Sequence, residues 1–233
     1  MQRFTSPFSR AYWASAAREL KNINTLVFAA LMVAIRVILK SVYIPVGENL
    51  NIMIVFLPNA LGSLVFGPVV SLLAGAASDL LGVLLFPKGA FFPPFTLVEM
   101  LSSFLFAIFL YRAPLKFWRV AVSKLSVNAV CNMLFTPLFL SWMSGSAAAL
   151  MSIPRIAKNV LIFPLESLLL ILLLGAMLPV LSRAGLIPKW QTAIKLSARH
   201  YALLGVLFLV SIASLLLYLG IFVIPILEFL PPR

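Results

Sequence analysis

Thr25-Leu-Val-Phe-Ala-Ala-Leu-Met-Val-Ala-Ile-Arg-Val-Ile-Leu-Lys-Ser-Val-Tyr43 carries no charge except Arg36 and Lys40. An α-helix rises about 1.5 Å per residue, so a stretch of this length matches the roughly 30 Å hydrocarbon core of a bilayer. The apolar positions run continuously instead of alternating, which argues against a strand of a membrane barrel, where lipid-facing and lumen-facing residues alternate. A helix apolar on every side belongs in lipid or in a large protein core, and the rest of the chain decides between the two.

The chain has 233 residues, 63% apolar and 10% charged, against roughly a quarter charged in an average soluble domain. Comparable apolar runs extend over Asn51 to Phe66, Val69 to Phe86, Phe95 to Tyr111, Val120 to Trp142, Pro154 to Leu181 and Tyr201 to Ile224. Together they predict an all-α membrane protein built as a helical bundle. The run beginning at Asn51 is short for a perpendicular span and is interrupted by Pro58 and Asn59, so a kinked helix is expected there. Phe66-Gly67-Pro68 predicts an abrupt reversal, because proline cannot continue a helix interior and biases its predecessor to extended geometry. The helices on either side should form a tight hairpin. Residues 1–24 read as an N-terminal segment without the apolar core of a cleavable signal peptide. Residues 25–183 form the bundle, 184–200 a basic linker containing Pro188, and 201–233 a seventh span with a tail. The aromatic loop from Lys88 to Pro94 reads equally as a lid or as an interfacial anchor.

The formal net charge of +12 comes from Lys and Arg scattered singly between apolar runs, without the basic stripe of a nucleic-acid binder. Cationic loops facing an anionic lipid surface explain it. With the N-terminus inside, Arg10, Arg18, Lys21, Arg112, Lys116, Arg119, Arg183, Lys189, Lys195 and Arg199 fall on the cytoplasmic side. The other side keeps Glu48, Lys88, the Met143 to Ile153 loop and the tail with Glu228 and Arg233. This is the asymmetry of the positive-inside rule.

Ionisable residues inside a span cost about 2.5–3.5 kcal/mol on insertion scales, so each needs a partner, an aqueous cavity or a task. The candidates are Arg36, Lys40, Asp79, Glu99, Lys124, Arg155, Lys158 and Glu166. In the topology above, Arg36, Lys40, Asp79, Glu99, Arg155 and Lys158 converge on the outer half of the bundle. Lys40 and Arg155 lie near enough to helix ends to snorkel. Lys124, about one turn from the cytoplasmic end, reads as an interfacial anchor, and Glu166 as a partner for a neighbouring helix. Arg36 sits mid-span and calls for a counter-charge or an anionic ligand. Arg155, Lys158 and Asn159 share one helical face by their spacing of three and four. That face offers a bidentate carboxylate clamp, a point charge and an amide that reads a donor and an acceptor on a heterocycle. Asp79 and Glu99 supply acceptors for ring nitrogens or amino groups.

No Walker-type phosphate loop, HExxH or GxSxG occurs, and the single histidine, His200, falls in the expected cytoplasmic linker. The lone Cys131 excludes an intramolecular disulfide and a multi-cysteine metal site. A catalytic centre, a metal site and a cofactor are therefore not expected. An intramembrane acid pair of Asp79 and Glu99 lacks the glycine-flanked pattern of such proteases. Ala30 and Ala34 place small residues on one stripe of the first helix, suiting either internal packing or docking of another membrane subunit.

Several stretches together resemble the substrate-binding S components of energy-coupling factor (ECF) vitamin transporters, and within them the folate-specific branch. They are Arg18-Glu-Leu-Lys21-Asn22, Leu26 to Arg36 with Ala30 and Ala34, and Leu57-Pro-Asn59-Ala-Leu-Gly62. Phe66-Gly67-Pro68-Val69-Val70, Gly75 to Gly82 with Ser78-Asp79, Phe86-Pro87-Lys88-Gly89, Val98-Glu99-Met100-Leu101 and Pro154-Arg155-Ile-Ala-Lys158-Asn159 complete the set. The resemblance covers about residues 18–183 and implies a six-helix bundle with a ligand cavity open to the outside. It implies folate or a related vitamin as ligand, with Arg36 and Arg155 on the glutamate carboxylates and Asn159 and Asp79 on the pterin edge. It also implies that Ala30 and Ala34 pack against a transmembrane coupling (T) subunit carrying two cytoplasmic ATPase subunits, so that this chain hydrolyses nothing itself. The seventh span lies beyond the family pattern. An S component for another heterocyclic vitamin and a passive facilitator or channel are the rival readings.

Overall fold

The structure is a computed structural model, and it describes residues 9–47, 50–87, 91–146, 153–194 and 198–218. Helix α1 (Arg10–Arg18) is capped by Ser9, whose side chain accepts from the Tyr12 N–H, and it buries Tyr12 and Ala16. A short 3-10 turn (Glu19–Lys21) leads into α2 (Ile23–Ser41), where Asn22 caps the first turn by accepting from the Asn24 N–H. Strands β1 (Ile44–Gly47) and β2 (Leu50–Ile52) pair antiparallel. Helix α3 (Phe56–Leu85) follows, then α4 (Pro93–Leu110), which starts on prolines in the first turn, where no N–H is needed. Helix α5 (Phe117–Val127) passes through a π-helical segment (Asn128–Phe135) into α6 (Thr136–Ser144). Helices α7 (Ile153–Leu161), α8 (Phe163–Arg183) and α9 (Ala198–Tyr218) complete the described chain. Among the described residues, five stretches are long and apolar enough to cross a membrane: α2, α3, α4, Phe117–Ser144 and α8. The protein is an all-α multi-pass membrane protein, with the two short strands at one end of the bundle.

Helix α3 is folded back on itself, as the sequence predicts. Gly67 sits at φ 71° and ψ 179°, a backbone geometry essentially restricted to glycine, and Pro68 follows it. In one straight helix, Asn59 and Gly75 would lie about 24 Å apart. Instead the Ser103 hydroxyl donates to Asn59 Oδ1 at 2.8 Å and also lies 3.0 Å from where a Cβ on Gly75 would be. The arms 56–66 and 68–85 therefore run side by side against α4. The first arm is buried from Pro58 through Phe66 and forms the central post of the bundle. Close approach there depends on small residues, since a Cβ on Gly62 would meet the Phe66 ring at 2.5 Å and Met32 at 3.2 Å.

The α1 end of the bundle is tied together by Glu19. Its carboxylate accepts from Thr25 Oγ1 at 2.9 Å, Tyr111 Oη at 2.9 Å and Arg112 Nη2 at 2.8 Å. The stretch after α8, expected as a plain basic linker, is packed: Ile187 and Ile194 are buried, and Gln191 Nε2 donates to the carbonyls of Leu110 and Ala113, both at 3.0 Å. Satisfying those two carbonyls at the end of α4 fixes the segment in place. The expected N-terminal segment likewise contains an ordered helix, α1. Residues 48–49, 88–90, 147–152, 195–197 and 219–233 lie outside the described residues. They include Glu48, Lys88, Lys195, Glu228, Arg233 and the first three residues of the expected lid or anchor loop. Of that loop, Phe92 packs edge-on against Trp142 at 5.6 Å between ring centres.

Candidate ligand-binding cavity

Two buried polar networks flank the central arm of α3. In the first, Arg36 is 1% exposed; its Nη2 donates to Glu99 Oε2 at 2.9 Å and its Nη1 to Ser103 Oγ at 3.2 Å. Lys40 Nζ lies 3.1 Å from Asp79 Oδ1 and 3.2 Å from Glu99 Oε1. Asp79 also accepts from Thr96 Oγ1 at 2.8 Å. Two cations and two carboxylates thus cancel in a site that is mostly buried, with the Glu99 side chain its most exposed member at 29%. Low polarity strengthens each of these pairs and makes each indispensable to its neighbour. The Lys40 stem lies across Gly82, where a Cβ would stand 2.9 Å from Lys40 Cδ.

The second network joins the π-helical segment to α7 and α8. Lys124 Nζ lies 3.2 Å from Glu166 Oε1 and 4.1 Å from the centre of the Phe56 ring. Asn128 Nδ2 donates to Glu166 Oε2 at 2.9 Å. Asn132 Nδ2 donates to Asn128 Oδ1 at 3.1 Å and to Asn159 Oδ1 at 3.2 Å, and Asn159 Nδ2 donates to the Arg155 carbonyl at 2.9 Å. A π-helical turn widens the helix by one residue and recurs at functional sites; here it lies where three asparagines face one another.

Between these networks lie two cavities that share Met53, Val55 and Glu99. One, of about 200 Å³, is lined by Lys40, Asp79, Gly82, Val83 and Phe86 besides the shared residues. The other, of about 150 Å³, adds Phe56, Asn59, Ser102, Lys124, Asn132, Lys158 and Glu166 among its walls. An apolar chamber with a few convergent polar groups is the usual form of a small-molecule site. One lobe presents a lysine between two carboxylates; the other presents amides, a hydroxyl and an aromatic face. The pair of lobes suits an elongated ligand carrying a charged end and a hydrogen-bonding ring.

Of the in-span charges singled out in the sequence, Lys40, Asp79, Glu99, Lys124, Lys158 and Glu166 line these cavities. Arg36 and Asn159 stand in the shell behind the walls, and Arg155 is buried on α7 at 8% exposure. Lys124 differs from its expected place. It is 2% exposed and paired with Glu166 inside the bundle instead of anchoring the interface. Depth counted along the chain misplaced it, because α5 already begins at Phe117, which puts Lys124 about two turns inside the helix instead of one. Its sequence signal was the stripe Lys124, Asn128 and Asn132, spaced four apart along one face. Asn59, Ser102 and Phe56 are further wall residues absent from the expected set. Ala30 and Ala34 are exposed on the outer face of α2, together with Ile23, Val27, Leu31 and Ile38. That stripe is not internal packing within this chain.

A chamber inside a helical bundle walled by ion pairs is the kind of site a membrane protein uses to hold a small polar molecule. The family model described as "ECF-type riboflavin transporter, S component" matches residues 20–177, and the chain belongs to that family of transporter S components. It is 27% identical over 154 residues to the folate transporter FolT of Clostridium novyi (strain NT), covering 65% of this chain and 88% of that one. It is 28% identical over 147 residues to FolT of Leuconostoc mesenteroides subsp. mesenteroides, covering 60% and 78%. A crystal structure of FolT bound with folic acid aligns with TM-score 0.58 and 30% identity over 63% of this chain and 89% of that chain.

Proposed function

We propose that this chain is the substrate-binding subunit of an ATP-driven ECF importer that takes folate from the extracellular side. The observation that carries the reading is the two-lobed cavity, with Lys40, Asp79 and Glu99 in one lobe and Ser102, Asn132, Lys158 and Glu166 in the other. The likeness to FolT proteins, one solved with folic acid, supports it. The Asp79 and Glu99 carboxylates of the first lobe suit the amino and N–H donors of a pterin. The second lobe, with Lys124 and Lys158 on its walls and Arg155 on the same helix as Lys158, suits the anionic glutamate end. Lys158 and Asp79 act on the ligand from the walls, Arg155 and Asn159 from α7, and Arg36 by holding Glu99. ATP hydrolysis belongs to two cytoplasmic ATPase subunits joined through a T subunit, with Ala30 and Ala34 as the docking stripe. The N-terminus is cytoplasmic, because Arg10, Arg18, Lys21, Arg112, Lys116 and Arg183 share the α1 end of the bundle.

Riboflavin is the second reading, favoured by the description of the matching family model. Purified protein titrated with each vitamin separates them. Submicromolar folate should quench tryptophan fluorescence and riboflavin should not compete. Saturable riboflavin binding without folate binding would replace the substrate, and flux of folate through liposomes without any ATPase module would replace the mechanism by a passive one.

A further inference from the structure

We infer that the C-terminal extension is a brace: α9 lies across α8 and against α7, and holds the hinged α7 closed on the cavity. The inference about motion stands on the fold alone; its consequence for ligand release rests on the binding function proposed above. Helix α7 is nine residues long and separated from α8 by a break at Ile162. Pro164 deprives the first turn of α8 of an N–H, and its ring crowds the carbonyl of Val160, which is the physical cause of the break. A short helix beyond a proline break is a hinged element unless its neighbours hold it.

Its inner side is held by polar contacts. Asn159 receives the Asn132 amide at 3.2 Å, and the Asn159 carbonyl receives Asn128 Nδ2 at 3.5 Å. Its outer side is apolar, with Ile153, Ile156 and Val160 at 71%, 45% and 57% exposure. Helix α9 contacts both α7 and α8, and its inward stripe is His200, Leu204, Leu207, Ser211, Ser214 and Leu215, spaced as one face of a helix. Ser211, at 1% exposure, lies at the centre of that contact, its hydroxyl turned back to the Leu207 carbonyl at 2.6 Å. The other end of α9 is anchored. His200 packs on Phe117 at 5.7 Å between ring centres, and the preceding linker is buried through Gln191 and Ile194. An element fixed at one end of the bundle and lying on a hinged helix at the other resists the opening of that helix. The family match ends at residue 177, so the brace is an addition to the shared bundle.

The test uses the full chain in liposomes with Cys131→Ala and Asn159→Cys, which places a buried thiol on α7. Its labelling by a maleimide reports opening of α7 whatever the ligand. Ser211→Trp, which wedges α9 away, and the milder Leu215→Ala should each speed labelling, by about tenfold and a few-fold respectively. Leu209→Ala, on the lipid face at 67% exposure, should leave it unchanged. In the Asn159 background, folate should dissociate faster from Ser211→Trp and Leu215→Ala by the same factors. Unchanged labelling in Leu215→Ala, with the protein folded, overturns the brace whether or not Ser211→Trp folds. Faster labelling in a protein that binds no folate keeps the brace and overturns the folate reading.

Discussion

Arg36 carries its charge at 1% exposure, and Glu99 with Ser103 makes that position tenable. From the sequence alone Arg36 reads as a clamp for a ligand carboxylate, because an arginine at mid-span demands an anion and the chain order does not say which one. The structure supplies the anion from α4. Truncating one member of a buried ion pair strands the other and costs about 3 kcal/mol or more, whereas replacing both with apolar or neutral groups is far less damaging. Arg36→Met should therefore lower unfolding stability by about 3 kcal/mol, and Arg36→Met with Glu99→Gln should recover at least half of that loss. Thermal unfolding of the two variants in detergent measures it. A single variant as stable as the parent, but deaf to ligand, would return Arg36 to direct contact with the ligand.

At the scale of elements, Gly67 makes the hairpin of α3. A side chain there would meet both the backbone region closed to other residues and the Tyr111 ring, 3.0 Å from the Cβ position. Gly67→Ala should cost about 2 kcal/mol or more. Gly145 has a similar φ of 66° with nothing within 4 Å, so Gly145→Ala should cost about half as much. Gly145, at ψ 11°, lies in the left-handed region that other residues visit, so equal losses in the two variants would mean that neither the closed backbone region at Gly67 nor the Tyr111 contact adds to the cost. The reversal was legible because Gly-Pro is local chemistry, and the apolar runs were legible because lipid imposes length on a helix. Other features depend on partners distant in sequence. Nothing in Asn128 to Phe135 announces a π-helical turn, and Pro164 was absorbed into one long apolar run although it divides α7 from α8. Helix α1 was hidden because its burial is set by Tyr111, the residue that follows α4, to which Tyr12 packs edge-on at 5.7 Å.

For the whole molecule, the faces of the bundle divide the work. Helix α9 covers α7 and α8, the α1 end is closed by Glu19 and Gln191, and α2 contacts α3 while leaving Ala30 and Ala34 outward. Small residues on a lipid-facing helix lower the barrier to close helix approach, since a neighbouring backbone can come within reach of them. A large residue at those positions would not disturb the interior, where Met32, Val33, Arg36 and Val37 face the core. Ala30→Trp with Ala34→Trp should therefore leave ligand affinity and thermal stability within about twofold and about 0.5 kcal/mol of the parent. Reconstituted with the T and ATPase subunits proposed above, the same variant should lose ATP-dependent uptake almost completely if α2 is the docking face, because the helices can no longer close to contact distance. Retained uptake would move the docking face to another exposed stretch of apolar helix, such as the arm 68–85 with Leu73, Leu80 and Leu84 outward. Loss of ligand binding in the isolated chain would instead show that the outer face of α2 communicates with Arg36 and Lys40, which lie two and six residues beyond Ala34 on the same helix.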